Sequence, residues 1–470
     1  MLPDFRSQYR ALFDAIRKIV PASMKIYLVG GAVRDIILNR KIRDFDFTVE
    51  GLVRPIGKHI ADELNGAYYV LDDEREMVRV IIEDETMGEF DVDIAQLSGE
   101  SIEDDLRERD FTFNAMAIEL GKEPVFVDPL GGLDDLNNKR LRMCSPESLQ
   151  NDPMRALRAI RMNLEFGLEP DDELTAAMEN ATANLSESSF ERYRDELFKI
   201  IRLYKNGRAV QSMRKFGYFE YLFPGCDKAE DGINLQFIEN TDKILSLMFT
   251  NQESAGISDV YASYASARLG NYKEAMKEFL TKSLALYHNR KMLTAFASIA
   301  GSASKNNVKA VKLWCNRLTF STSEMNFTQN VILSHAYLNT LTNLPSFGDV
   351  DIYRYFRQYR EGGLSGAILF LADGYAQQDV PEAYKNWCDK VVFVQDLISA
   401  YFTRYMEVID PKPLLSGTDI QNLLDIPAGP VIGYAKNALI EAQIRGSVKN
   451  VSEAELFIKQ QAKQYTDRER

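Results

Sequence analysis

Tyr27-Leu-Val-Gly-Gly-Ala-Val-Arg-Asp35, followed by Asp44-Phe-Asp46, decides how this chain is read. Residues 25–29 are an apolar run that predicts a strand entering two glycines, with a short helix carrying Arg34 and Asp35 behind them. A second strand is predicted over residues 44–49. Side chains alternate along a strand, so Asp44 and Asp46 share one face. Gly30 and Gly31 let backbone amides come close to a polyphosphate. Paired carboxylates on one face hold a divalent cation, and magnesium commonly takes only one or two from the protein. The combination points to a site for nucleotidyl transfer, with Asp44 and Asp46 as metal ligands and Mg2+ as cofactor.

The surrounding composition sets limits. At 470 residues the chain has room for two to four domains, and 45% hydrophobic with 27% charged residues suits a soluble globular protein. No apolar run is long enough for a bilayer, and residues 1–10 show no signal-peptide pattern, so no membrane partner is expected. Cys144, Cys226, Cys315 and Cys388 are scattered without a CxxC pair, which argues against zinc and suits a reducing cytoplasm. A net charge of -13 argues mildly against nucleic acid, yet residues 197–218 carry Lys199, Arg202, Lys205, Arg208, Arg214 and Lys215 with no acidic residue. His59, His288 and His335 have no metal-ligand spacing and read as structural.

Residues 1–135 read as an α+β domain with a small mixed sheet. A helix is expected over 5–20, and strands over 25–29, 44–49, 68–71, 78–82 and 90–94. From residue 136 the pattern is helical throughout. Residues 136–225 read as a helical neck, 226–410 as a helical body without motifs, and 411–470, after Asp410-Pro-Lys-Pro413, as a helical tail. Asp152-Pro153 reads as an N-cap followed by proline, opening a helix on which Arg155, Arg158 and Arg161 form one stripe. Tyrosine-rich helices near 261–272 and 353–359 read as core more readily than as stacking platforms for RNA.

A second carboxylate strand strengthens the metal reading. Phe90-Asp-Val-Asp-Ile94 places Asp91 and Asp93 on one face; Asp93 is the expected third catalytic carboxylate, with Asp91 as the alternative. Arg109, Asp110 and Asn114 read as a helix start and suit phosphate and ribose, since arginine offers a donor fork and asparagine both a donor and an acceptor.

These segments resemble the class II, bacterial-type tRNA nucleotidyltransferases and the related bacterial poly(A) polymerases. Residues 28–35 with 44–46 are similar to the family's metal motif, and Arg109-Asp-Phe-Thr-Phe-Asn-Ala-Met-Ala117 to its head–neck motif. Asp128-Pro-Leu-Gly-Gly-Leu-Asp-Asp-Leu136 resembles the next turn, Asn151-Asp-Pro-Met-Arg-Ala-Leu-Arg-Ala-Ile-Arg161 the nucleotide-selecting motif, and Glu191-Arg-Tyr-Arg-Asp-Glu-Leu197 a further neck motif. Residues 413–433 resemble the family's tail, whose helix start suits the backbone of the tRNA elbow. The resemblance implies template-free addition of CCA, or of CC alone, to the 3′ end of tRNA from CTP and ATP. It also implies triphosphate contacts for Gly30, Gly31 and Arg34, and base selection by Asp152 and Arg155, with Arg158 in the same motif. A carboxylate accepts from cytosine N4, and one good bidentate contact discriminates by roughly 1–3 kcal/mol.

The chain departs from the family at several points. Asn151 stands where a glutamate is usual, Glu108 where the first of two arginines is usual, and Ser98 where an arginine is usual. Residues 94–104 are all that separate Asp93 from Asp105, where many members carry a flexible loop; within the family, loss of that loop accompanies enzymes that add only CC. A poly(A) polymerase and a noncatalytic RNA-binding protein on a decayed head are the alternatives. The acidic balance disfavours the first, and intact Asp44, Asp46 and Asp110 disfavour the second.

Overall fold

The computed structural model describes residues 9–466 apart from 22–23, 74–75, 85–87, 122, 182–184, 186–187, 227–228, 230–231, 250–259, 286–287, 345 and 376–380. The chain divides into two compact units, Met1–Arg192 with Lys215–Tyr218, and Tyr193–Arg214 with Phe219–Arg470.

In the first unit, helix α1 (Arg10–Ile19) precedes β1 (Ile26–Val29), α2 (Gly31–Ile37), β2 (Asp44–Val49) and α3 (Val53–Leu64). Then come β3 (Ala67–Asp72), β4 (Met77–Asp84), β5 (Gly88–Gln96), α4 (Ile102–Arg107), β6 (Ala117–Glu119) and β7 (Val125–Val127). The sheet runs β3-β4-β5-β2-β1-β6-β7. The expected strand over 44–49 is found at those bounds, that over 25–29 begins one residue later at Ile26, and the other three lengthen by two to four residues, while the helix start expected at 109–114 is instead a short 3-10 turn over Thr112–Asn114. The expected helix over 5–20 is found as Arg10–Ile19, its first residues lying outside the described ones. Short strands β6 and β7 carry too few residues to show a period of two, and the sequence pattern did not reveal them.

Alternation divides the sheet into two faces. Phe45 and Phe47 of β2, Val78, Val80 and Ile82 of β4, and Phe90, Val92 and Ile94 of β5 share one core with Leu12, Phe13 and Ile16 of α1 and Ile56 and Ile60 of α3. Each such side chain contributes about 1.5–3 kcal/mol when fully buried. The intervening residues, Asp44, Asp46, Arg79, Asp91 and Asp93, are thereby put on the other face. Strands β2 and β5 run parallel in a register that sets Asp44 beside Asp91 and Asp46 beside Asp93.

The unit continues through α5 (Gly132–Asn137), α6 (Ser148–Asn151) and α7 (Met154–Phe166). Met154, Leu157, Ile160 and Leu164 of α7 are buried, and Arg155, Arg158 and Arg161 of its arginine stripe are half-buried.

The second unit is helical. Its tyrosines at 261, 353, 355 and 359 are buried, as the core reading expected. Lys199, Arg202, Lys205 and Arg208 are exposed, while Arg214 is half-buried near Glu220 (3.6 Å). In the tail, Leu415, Ile420, Val431, Leu439 and Ile458 form a small core of their own, and Arg354 makes a two-pronged pair with Glu441 (2.8 and 2.6 Å). His335 lies 3.4 Å from Asp373, a proximity between distant residues that sequence spacing does not reveal.

Buried Glu324 caps the helix Thr322–Leu341 through Ser321 N (2.8 Å) and Ser321 Oγ (2.7 Å) and pairs with His288 Nδ1 (2.6 Å). Burial alone would raise its carboxyl, but the bonds from His288 and Ser321 outweigh that and hold it below its ordinary value. A lowered folded value contributes stability that is complete above the unfolded value and fades as pH falls through the folded one. Glu324→Gln is therefore expected to cost about 1–3 kcal/mol near neutral pH. The cost should shrink below the glutamate range, as read from urea midpoints at the two pH values.

Candidate active site

The strand β1 ends at Gly30, whose φ of +72° is a left-handed conformation that suits glycine. A Cβ there would stand 3.0 Å from Arg109 Nη1 and 3.2 Å from Asp46 Oδ2. Glycine thus lets the turn, Asp46 and Arg109 come together. Gly30→Ala combines strain of about 1–2 kcal/mol with that crowding. It is expected to lower nucleotide incorporation at least tenfold with little loss of secondary structure, as measured by steady-state kinetics and circular dichroism.

Asp44 is exposed at the head of β2 and Asp46 is half-buried one step in. Burial pushes the Asp46 carboxyl up to about 6; Arg109 opposes this rise, while Asp93 and Asp44 reinforce it. Asp93 faces the same side, but both its oxygens accept from Arg79, from Nε and Nη2 at 2.7 Å each. Asp91 lies 3.3 Å from Arg79 Nη1. Arg79 escaped the sequence reading because a lone arginine in a strand has no motif; its signal is the β4–β5 register, which places it opposite Asp93.

A second group of expected residues forms one network. Arg34 donates through Nε and Nη2 to Asp35 (3.0 Å each) and through Nη1 to Asn114 Oδ1 (2.8 Å), and its guanidinium lies 4.4 Å from the centre of the Phe166 ring. Asn114 Nδ2 donates to Asp110 Oδ1 (3.3 Å), which also accepts from Phe111 N (2.8 Å). Asp110 Oδ2 pairs with Arg158 Nη2 (2.8 Å). Arg34, Asn114, Asp110 and Arg158, drawn from three motifs, are therefore consecutive members of one polar network. Arg109 is braced by Asp105, with Nη2 at 3.0 Å.

The turn holding Asn114 is fixed from below. Asp135 is fully buried and accepts from Thr112 Oγ1 (2.6 Å) and from Arg142 Nε (3.0 Å). Asp128 accepts from the amides of Gly132 (2.7 Å) and Leu133 (3.0 Å). A Cβ on Gly132 would lie 2.1 Å from the Thr112 carbonyl, so only glycine admits this approach. Asp105 and Asp135 were not among the expected site residues; each supports one that was.

The selector residues are arranged differently from a simple cap pair. Asp152 Oδ1 accepts from Met154 N (3.1 Å), which is a capping bond, and Oδ2 accepts from Arg192 (2.7 Å). Arg155 does not pair with Asp152; it donates to the carbonyls of Glu108 (2.7 Å) and Arg109 (3.2 Å) and to Ser148 Oγ (2.8 Å). Backbone carbonyls thus anchor Arg155 where Asn151 supplies no carboxylate. Two departures from the family also meet each other, as Ser98 Oγ donates to Glu108 Oε2 (2.7 Å).

Among the described residues, no three His, Cys, Asp or Glu side chains form a ready-made metal cluster, and no helix is long and apolar enough to cross a membrane. A site of two protein carboxylates needs no such cluster. Asp44 and Asp46 suit a hard divalent cation, because they share a sheet face and Asp46 is desolvated beside the charges of Asp93 and Asp44.

Residues 26–142 match the poly A polymerase head domain, and residues 167–230 match the probable RNA and SrmB-binding site of polymerase A. The A-adding tRNA nucleotidyltransferase of Deinococcus radiodurans is 27% identical over 93% of this chain and 95% of its own length. The CC-adding enzyme of Geobacter sulfurreducens is 28% identical over 92% of this chain and 91% of its own. Among solved structures, a CCA-adding enzyme in complex with CTP superposes with a TM-score of 0.64 at 19% identity, covering 97% of this chain and 94% of its own. Two domain models thus match in order, and along more than nine-tenths of its length the chain is similar to tRNA nucleotidyltransferases.

Proposed function

We propose that this protein is a Mg2+-dependent tRNA nucleotidyltransferase that completes the 3′ end of tRNA from CTP and ATP. The observation that carries the proposal is the Asp44–Asp46 pair beside the Gly30 turn, in a chain whose relatives along more than nine-tenths of its length add C or A to tRNA. The four cysteines stand as free thiols, which suits the cytoplasmic setting proposed with it.

Asp44 and Asp46 would hold the cation, with Asp93 as the third carboxylate beside them. When bound there, Mg2+ neutralises charge on the triphosphate and makes the attacking hydroxyl more acidic. The Gly30–Gly31 turn, where no side chain obstructs the approach, receives the triphosphate, and Arg109 offsets its charge next to Asp46. Arg34 adds positive potential from within the network that keeps Asp110, Asn114 and Arg158 in place for phosphate and ribose. Asp152 accepts from the amino group of the incoming base, and Arg155 donates to its remaining edge. The tRNA 3′ hydroxyl would attack the α-phosphorus in line as pyrophosphate departs, and because the hydroxyl is made more acidic there its proton would pass to solvent without a histidine base.

One observation favours a narrower product, CC alone. Only residues 97–101 join β5 to α4. A pocket that changes from CTP to ATP needs a movable element, and a connector this short restricts movement.

The test is transfer of labelled CMP from CTP to a tRNA transcript ending at its discriminator base, with and without Mg2+. Metal-dependent labelling with release of pyrophosphate is expected. Failure to label, in a protein that still binds the transcript, would reinstate the noncatalytic alternative.

A further inference from the structure

Four carboxylates stand on one open face of the β2–β5 pair, two on each strand, in facing register. Neighbouring strands lie about 4.8 Å apart, so like charges placed opposite one another destabilise the sheet. Arg109 approaches Asp46 at the Gly30 turn, but a two-pronged partner is supplied on β5. Arg79, on β4, meets Asp93 with two bonds of 2.7 Å and approaches Asp91 at 3.3 Å. A guanidinium fork matched to both oxygens of a carboxylate fixes its orientation as well as its charge. Asp44 and Asp46 receive no such partner from Arg79.

We propose that Arg79 is a positioning residue which sorts the four carboxylates, holding Asp93 beside the metal site while leaving Asp44 and Asp46 as the pair that binds the cation. The inference rests on the metal site assigned above and deepens it: Asp93 contributes negative potential next to Asp46 without giving its oxygens to the metal. Arg79 also limits affinity. Without its positive charge, Asp91 and Asp93 would turn their full charge on the cation and bind it more tightly than turnover allows.

Binding of Mn2+ to the full chain without nucleotide, followed by electron paramagnetic resonance of the free ion, tests this separately from activity. Arg79→Met is expected to tighten Mn2+ binding about tenfold while lowering kcat, and Arg79→Lys to recover part of both. Asp93→Asn leaves Arg79 with Asp91 as its remaining carboxylate partner on β5, adds net positive charge near the site, and is expected to weaken Mn2+ binding. The double variant Arg79→Met with Asp93→Asn restores the charge balance and should bind within about threefold of the parent. If Asp93 were itself a ligand, the double variant would bind as weakly as Asp93→Asn; that result, or unchanged binding in Arg79→Met, overturns the proposal. The double variant has no buried lone charge, so it serves if Arg79→Met alone does not fold. Asp46→Ala is the control: persistence of Mn2+ binding in that variant would count against the metal site, whereas the other comparisons count against the sorting role.

Discussion

Asp46→Ala is expected to lower CMP incorporation by about ten-thousand-fold, equivalent to roughly 5.5 kcal/mol of transition-state stabilisation. Its tRNA affinity should stay within about twofold of the parent, because the metal pair acts on the triphosphate and not on the body of the RNA. The fold should not suffer. Asp46 is a desolvated carboxylate pressed by Asp44 and Asp93, and its carboxyl is pushed up to about 6. Removing such a charge relieves repulsion, so the melting temperature is expected to equal or exceed that of the parent. Single-turnover incorporation, filter binding and calorimetry on one preparation check the three parts. Retained turnover would remove Asp46 from the metal assignment.

The second large effect concerns choice of nucleotide. Asp152 has two roles that one substitution confuses and two can separate. It caps α7 through Met154 N, and its other oxygen pairs with Arg192, so Asp152→Ala should cost about 1 kcal/mol of stability as well as its reading of the base. Asparagine is as good a cap as aspartate. Asp152→Asn should therefore keep the melting temperature while the preference for CTP over UTP falls by about 10–100-fold, the range of one lost base contact. The ratio of kcat/KM for the two nucleotides gives the answer. An unchanged ratio in the asparagine variant would leave Asp152 as a helix cap alone.

The contrast between these two sites shows what the sequence could reveal. The metal pair depends on alternation within one strand, a local property. Residues 44–49 therefore disclosed both the strand and the shared face of Asp44 and Asp46. The network from Arg34 to Arg158 was legible as a set of members but not as a chain, since Arg34 and Asn114 are 80 residues apart. Arg79 was not legible at all, and Arg192 was legible as a member of the neck motif 191–197 but not as the partner of Asp152. Arg79 acquires meaning only from the register of β4 on β5, and Arg192 only from a fold that brings it to Asp152 across 40 residues. The same limit explains Arg155. Its expected neighbour was three residues away on its own helix, yet the acceptors that hold it are carbonyls at 108 and 109, reached through tertiary packing.

Product length on a tRNA transcript ending at the discriminator base, with Mg2+ and CTP alone, ATP alone or both, tests the central claim most directly. The account predicts extension by two residues with CTP alone and a third only when ATP is also present, with a stop at two in both lanes if the connector at 97–101 limits the enzyme to CC. Long A tails from ATP alone, or no extension in any lane, would contradict it.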